Sequence, residues 1–206
     1  MKKSIAIQYL LRHFDITKLQ KLVVDIGAAD GMYTSNSYTF IVDYGWDAVL
    51  IEPQLRQLVD AIECHVDCND RVRFINCAIC EEDGTANMFI HPNDGDGLTT
   101  NNHGSSLVPI PGSRVQIMVA TMSYETLVRE VDFSQVGLLA IDTEGYDDRI
   151  LAGIFAATPH RPGVIISETN YYLINDDGQR RRDLMKKDYE LIYSQHDQIY
   201  VRRDLL

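Results

Sequence analysis

The feature that most restricts this chain is an alternation of two kinds of segment. Short unbroken runs of aliphatic residues are separated by helix-length stretches. Leu22 to Ile26 is one such run, with Asp25 near its end, and Ala48 to Ile51 and Val136 to Ile141 are others. A strand that is apolar on both faces belongs in a sheet covered on both sides, and strands alternating with helices make that sheet parallel. Gly27 and Gly31 break the first run, and a helix is expected from about Thr34 to Tyr44. The second strand ends at Glu52-Pro53. A helix should follow from Gln54 to about Cys64, with Leu55, Leu58, Val59 and Ile62 on one apolar face. Val72 to Ile79 reads as a third strand.

The rhythm then changes. Thr85 to Ile90 and Val115 to Ala120 read as strands with no helix between them. They are joined by a Gly/Asn/Pro-rich stretch, His91 to Arg114, long enough to be a functional cover. Alternation resumes at Val136 to Ile141, with a helix from about Asp147 to Phe155 and a strand from Val164 to Ser167. A polar helix around Gln179 to Lys187 precedes a closing hairpin, Tyr189 to Tyr193 with Ile199 to Arg203. The expected fold is therefore a Rossmann-like α/β domain over residues 1–206. Residues 1–20 form an N-terminal helical extension, and 85–120 an inserted hairpin with a lid loop. Neither repeats nor low-complexity tracts interrupt it.

Composition narrows the class. The 206 residues suit one domain with a sizeable core. No apolar run approaches the roughly 20 residues of a membrane span. Arg12 and His13 interrupt the first apolar stretch, so residues 5–13 read as an amphipathic helix rather than a signal peptide, which points to the cytoplasm. The net charge of −11 argues against a nucleic-acid partner. Arg180-Arg181-Arg182 with Lys186-Lys187 reads as a solvated helix face. Cys64, Cys68, Cys77 and Cys80 are spaced so that zinc is conceivable, but no knuckle-forming turn surrounds them, and free core thiols are the better reading.

Three segments carry chemistry. In Asp25-Ile26-Gly27-Ala28-Ala29-Asp30-Gly31 the glycines sit at a strand-to-helix turn, where backbone can approach a ligand closely. Glu52 lies about 20 residues beyond that turn, at the end of the second strand, where an acidic side chain can accept hydrogen bonds from both ribose hydroxyls of an adenosine. The dinucleotide pattern G-x-G-x-x-G is absent, because Ala29 stands where its second glycine makes room for a pyrophosphate. This disfavours an NAD-dependent oxidoreductase and suits S-adenosylmethionine. The third segment, Ile141-Asp142-Thr143-Glu144-Gly145-Tyr146-Asp147, follows a central strand, where ligands of open α/β sheets bind. The bland alternative is that Asp142 or Asp147 caps the next helix.

These residues resemble those of the FkbM-type methyltransferases. The likeness is carried by Val24-Asp25-Ile26-Gly27-Ala28 with Gly31, Tyr33 and Thr34; Ile51-Glu52-Pro53; Asn76 with Ala78; Gly104-Ser105-Ser106-Leu107; Ile141 to Tyr146; and the tail from Tyr189 to Val201. Ala140 stands where members often carry Lys. The resemblance implies a class I methyltransferase fold with a mostly parallel seven-stranded sheet. It also implies S-adenosylmethionine as cofactor and O-methylation of a sugar or natural product. Asp25, Gly27, Ala28, Gly31, Tyr33 and Thr34 would then lie at the cofactor, Glu52 at its ribose and Ala78 near its adenine. The same resemblance puts Asp142 at the reaction centre and Ser105-Ser106 over it. A hydroxyl acceptor calls for a general base, and the candidates are Asp142, His103 and Glu168. Asp142, Glu168 and Asn170, at neighbouring strand ends, can also hold Mg²⁺. A non-catalytic adenosine-ligand binder is the rival reading.

Overall fold

The computed structural model describes residues 4–33, 35–91, 104–168 and 177–206. Helix α1 (Ile5–His13) leads into strand β1 (Leu22–Ile26), α2 (Tyr38–Val42), β2 (Asp47–Ile51), α3 (Leu55–Cys64) and β3 (Val72–Ile75). The chain continues through β4 (Ala78–Cys80), β5 (Gly84–Phe89), β6 (Gln116–Ser123), α4 (Tyr124–Glu130), β7 (Val136–Ile141) and α5 (Asp147–Ala157). It ends with β8 (Val164–Glu168), α6 (Asp177–Met185), β9 (Tyr189–Ser194) and β10 (Asp197–Arg202).

Seven strands form one sheet in the order β3-β2-β1-β7-β8-β10-β9. β3, β2, β1, β7 and β8 pair in parallel, and β10 is antiparallel to both β8 and β9. All six residues of β7 are buried, as are four of the five in β1. Both faces of the sheet carry a core. α1 and α2 supply Ile7, Leu10 and Phe40 to one, and α4 and α5 supply Leu127, Ile150 and Ile154 to the other. The chain moves outward from β1 to β3 and later returns to β7, so the order reverses between β1 and β7. That reversal leaves a crevice at the carboxyl ends of these two strands.

Four expectations need correction. The strand expected from Val72 to Ile79 is two strands in different sheets. Asn76 donates from Nδ2 to the carbonyls of Glu52 (2.8 Å) and Pro53 (3.0 Å), and beyond it β4 pairs with β6. The inserted hairpin is therefore part of a three-stranded sheet, β4-β6-β5. The helix expected from Thr34 to Tyr44 is only Tyr38–Val42. The hydroxyl of Ser35 accepts the amides of Ser37 and Tyr38 in a local turn that delays helix entry. In α3, only Leu58 of the expected apolar face is buried, because the chain at Gly31 packs against Ala61 and His65 and fixes the opposite rotation. Finally, α4 had no counterpart in the sequence reading. The Ser123 hydroxyl caps it by accepting the Thr126 amide at 3.2 Å.

Candidate active site

The turn after β1 is shaped by three close approaches. Gly27 has φ +82°, and a Cβ there would lie 1.9 Å from the Asp142 carbonyl oxygen, so only glycine fits. The amides of Gly27 and Ala28 donate to the Ile51 carbonyl at 2.9 and 3.1 Å, which folds the turn over the end of β2. Ala29 adopts φ +49°, and its amide donates to Glu52 Oε2 at 3.0 Å. The other Glu52 oxygen accepts the Gln54 amide at 2.9 Å. Gly31, at φ +67°, is the point where the turn meets Ala61 and His65 of the following helix-turn segment.

A cleft of about 660 Å³ opens over this turn. Gly27, Ala29, Glu52, Ala78 and Asp142 line it. Met88 and Leu107 line it from the three-stranded sheet and the segment bridged to it, and Gln54 and Gln57 from the start of α3. Other expected cofactor residues sit elsewhere. The Asp25 carboxylate is buried and accepts the Ser37 hydroxyl, and Ala28 belongs to a core cluster. Gly31 packs against α3, and Tyr33 is 65% exposed. None of these four lines the cleft. Thr34, His103 and Asn170 lie outside the described residues.

The loop from Asp142 to Tyr146 is held at both ends. Asp147 is fully buried and reaches back. Its Oδ1 accepts from the amide (3.0 Å) and hydroxyl (2.6 Å) of Thr143, and its Oδ2 accepts the Ser167 hydroxyl at 2.9 Å. The cap position itself is Tyr146, with no side-chain capping bond, so Asp147 braces the loop rather than capping the helix. From above, the Ser106 hydroxyl donates to the Glu144 carbonyl at 2.8 Å. Glu144 takes φ +54° between these restraints. Glu144 and Tyr146 both line the cleft, and the sequence reading assigned neither a role. The hydroxyl of Tyr146 donates to Glu81, and the Arg149 guanidinium lies 5.0 Å from its ring centre.

Carboxylates dominate the local field. β7 and β8 pair with Ile141 opposite Ser167, which brings Asp142 and Glu168 to adjacent strand ends. One oxygen from each of Asp142, Glu144 and Glu168 lies within 4.8 Å of the others. Burial raises the Asp142 pKa well above the carboxylate range, and the charges of Glu168, Asp147 and Glu144 raise it further. Glu168 is pushed up to about 8, first by burial and then by Glu144 and Asp147. Carboxyl groups raised by burial and by one another's charge are suited to proton transfer. The same oxygens are hard donors of the kind that hold Mg²⁺. Glu52 is raised to about 7 and Asp25 to about 6, both chiefly by burial. All four cysteines are free.

A family model described as the methyltransferase FkbM domain matches residues 25–193. No curated protein matches the sequence significantly. Among solved structures, the FkbM methyltransferase of Methylobacillus flagellatus superposes with a TM-score of 0.54 at 15% identity over 95% of this chain and 50% of its own. Monomeric WbdD gives 0.53 at 12% identity, over 98% of this chain and 41% of that one. The S-adenosylhomocysteine-bound methyltransferase PaMTH1 of Podospora anserina also gives 0.53 at 12% identity, over 98% and 79%. This chain thus spans half or less of the length of the first two. A putative rRNA methylase of Clostridium thermocellum and an rRNA methylase of Streptococcus thermophilus share the fold as well.

Proposed function

The chain belongs to the FkbM methyltransferase family, whose reaction draws on S-adenosylmethionine, and from that premise we propose that it O-methylates a hydroxyl of a sugar, a glycan or a small natural product. The observation that carries this reading is the convergence of Glu52 and Asp142 on one cleft beside the Gly27 turn. Bound S-adenosylmethionine supplies a methyl group on a positively charged sulfur. Glu52 receives the ribose hydroxyls on the lone pairs its two amide bonds leave unused. Ala78 and Met88 give an apolar lining suited to adenine. With the cofactor bound, Asp142, helped by Glu168, would take the proton that the acceptor hydroxyl gives up on methylation. Alignment supplies the larger part of the acceleration, and the base contributes about 10²–10⁴.

An acceptor without phosphates suits a chain of net charge −11 better than RNA does. The carboxylate trio favours a second arrangement, in which Asp142, Glu144 and Glu168 hold a divalent cation that polarises the acceptor hydroxyl. His103 stays a candidate base. The four free cysteines accord with a reducing cytoplasm, and among the described residues no helix is long and apolar enough to cross a membrane. The test is transfer of labelled methyl from S-adenosylmethionine to a panel of hydroxylated glycans, small alcohols and RNA, with and without EDTA. Label on a glycan or small hydroxyl supports the proposal. Label on RNA alone overturns the acceptor class, and binding without transfer to any acceptor favours the non-catalytic reading.

A further inference from the structure

Helix α6 buries a residue that its sequence reading placed in solvent. Arg180, Arg181 and Arg182 were expected on one solvated face. Arg180 and Arg182 are exposed, but Arg181 turns inward and is 5% exposed. Leu184 and Met185 already pack α6 onto the core near its far end. An apolar side chain at 181 would add to that packing at less cost than a guanidinium, whose burial is expensive unless its donors are met. Anchoring the helix therefore does not account for an arginine at this position.

Its bonds do. The Nε of Arg181 donates to the carboxylate of Asp148, in the first turn of α5. Nη1 donates to the Glu168 carbonyl, at the end of β8, at 2.7 Å. Nη1 also reaches Oε1 of Gln198 on β10 at 3.4 Å, and the Tyr200 hydroxyl donates to that same oxygen at 2.8 Å. One planar fork thus joins the helix start that follows Asp142 and Glu144 to the strand end that carries Glu168. A shorter tie lies beside it, because Asp147 accepts the Ser167 hydroxyl at 2.9 Å. Residues 147 and 148 are in this way bound in turn to residues 167 and 168. What the two ties hold together is a set of like charges. Oxygens of Asp142, Glu144 and Glu168 lie within 4.8 Å of one another and repel when ionised. The positive charge of Arg181 acts on Asp147 and Glu168 against that repulsion.

We propose that Arg181 is a positioning residue for methyl transfer, its fork fixing the Asp142–Glu144 loop against Glu168 at the spacing the reaction uses. The inference rests on the methyl-transfer reading of the cleft. Arg181 does not line the cleft itself and acts through Asp148 and the Glu168 carbonyl. Gly27, Glu52 and Ala78, which line the cleft for the cofactor, make none of its bonds. Its loss is therefore felt in the chemical step and not in cofactor binding. Misplacement of an aligned group by about 1 Å can cost about a hundredfold in rate.

The experiment compares the wild type with Arg181→Met, Arg181→Lys and Arg181→Ala. It measures kcat and KM for labelled methyl transfer to the best acceptor of the hydroxylated glycan and alcohol panel, S-adenosylhomocysteine affinity by calorimetry, and amide hydrogen exchange by mass spectrometry. Arg181→Met is expected to keep a native-like melting transition and the wild-type affinity, and to lose about ten- to a hundredfold in kcat. Exchange should quicken in residues 142–147 and not in residues 22–31. Arg181→Lys keeps the charge without the planar fork and should fall in between. In Arg181→Ala, millimolar guanidinium should restore part of kcat, whereas tetramethylammonium, which has no N–H to donate, should not. An unchanged kcat in Arg181→Met, with an active wild type, overturns the proposal. So does failure to fold, or a loss of kcat matched by equal losses of affinity and melting temperature, in both the Met and Lys variants, because Arg181 would then serve the fold alone. A wild type that transfers methyl to no acceptor refutes the methylation reading by itself. Exchange then decides the brace, and equal rates at residues 142–147 in wild type and Arg181→Met reject it.

Discussion

Substituting Glu52 tests the electrostatics and the ligand assignment of the site together. The residue is 4% exposed, and its two carboxylate oxygens accept the amides of Ala29 and Gln54. Burial moves its pKa from 4.5 to about 7. Between those values the folded protein keeps a proton there that the unfolded chain has released. Glu52 therefore contributes stability that is fully present below about pH 4.5 and is lost as the pH rises through about 7. Each unit of that window is worth up to about 1.4 kcal/mol, on the order of 3 kcal/mol in all. Glu52→Gln abolishes the titration. It also points an –NH₂ group at one of the two backbone amides and leaves that buried N–H unpaired, a cost of about 1–3 kcal/mol. The variant should be less stable than wild type at pH 5 and regain ground by pH 8. Urea denaturation of both proteins without cofactor, from pH 5 to 8, reads this directly. Two curves running parallel across the range would refute the reasoning. At pH 8 the variant should also bind S-adenosylhomocysteine about ten- to a hundredfold more weakly, if a charged bond to the ribose is lost. Equal affinity by calorimetry would reject the ribose role.

Asp142→Asn keeps the side-chain shape and removes the charge, so turnover should fall by about a hundredfold or more while the melting temperature changes little; near-normal turnover in a labelled-methyl assay would move the base to Glu168 or His103. Gly27→Ala should cost more than about 2 kcal/mol in urea denaturation, because a left-handed alanine is strained and its Cβ would meet the Asp142 carbonyl. Asp147→Ala strips the acceptor from Thr143 and Ser167 and should cost about 2–4 kcal/mol, seen as a fall in melting temperature of roughly 2–4 °C per kcal/mol.

The strands that could be read from sequence are those buried on both faces. β1, β2, β7 and β8 are continuous apolar runs because helices cover the sheet on each side, and a run of that kind has few other uses. The break at Asn76 was not readable in the same way. Apolar character continues across it from Ile75 to Cys80, and the change of sheet is enforced by one amide side chain bonding carbonyls at the end of a different strand. α4 is only seven residues long and starts directly from β6, so its periodicity is too short to separate from the strand before it. In α3 the apolar positions were identified but their direction was not. Rotation of that helix is set by the approach of Gly31, a contact between segments about thirty residues apart in the chain.

Within the site, the legible residues are those whose position follows from topology alone. Gly27, Glu52 and Asp142 each stand just past a strand end, and parallel pairing aligns those ends whatever the side chains do. Glu168 was readable for the same reason, since Ile141 lies opposite Ser167 and the residues that follow them must be neighbours. Asp25 stands one residue earlier, still inside β1, and its carboxylate meets Ser37 rather than the cleft. Glu144 is different again. It enters the carboxylate trio only because its backbone is left-handed, and it is held there by Ser106 from one side and by the Asp147 brace on the other. A left-handed non-glycine residue costs on the order of 1–2 kcal/mol and persists only where its surroundings over-determine it. No periodicity in a sequence encodes that kind of restraint. The strain is therefore itself informative: the Ser106 bond to Glu144 and the Asp147 brace on the neighbouring Thr143 hold Glu144 where its charge raises the pKa of both Asp142 and Glu168.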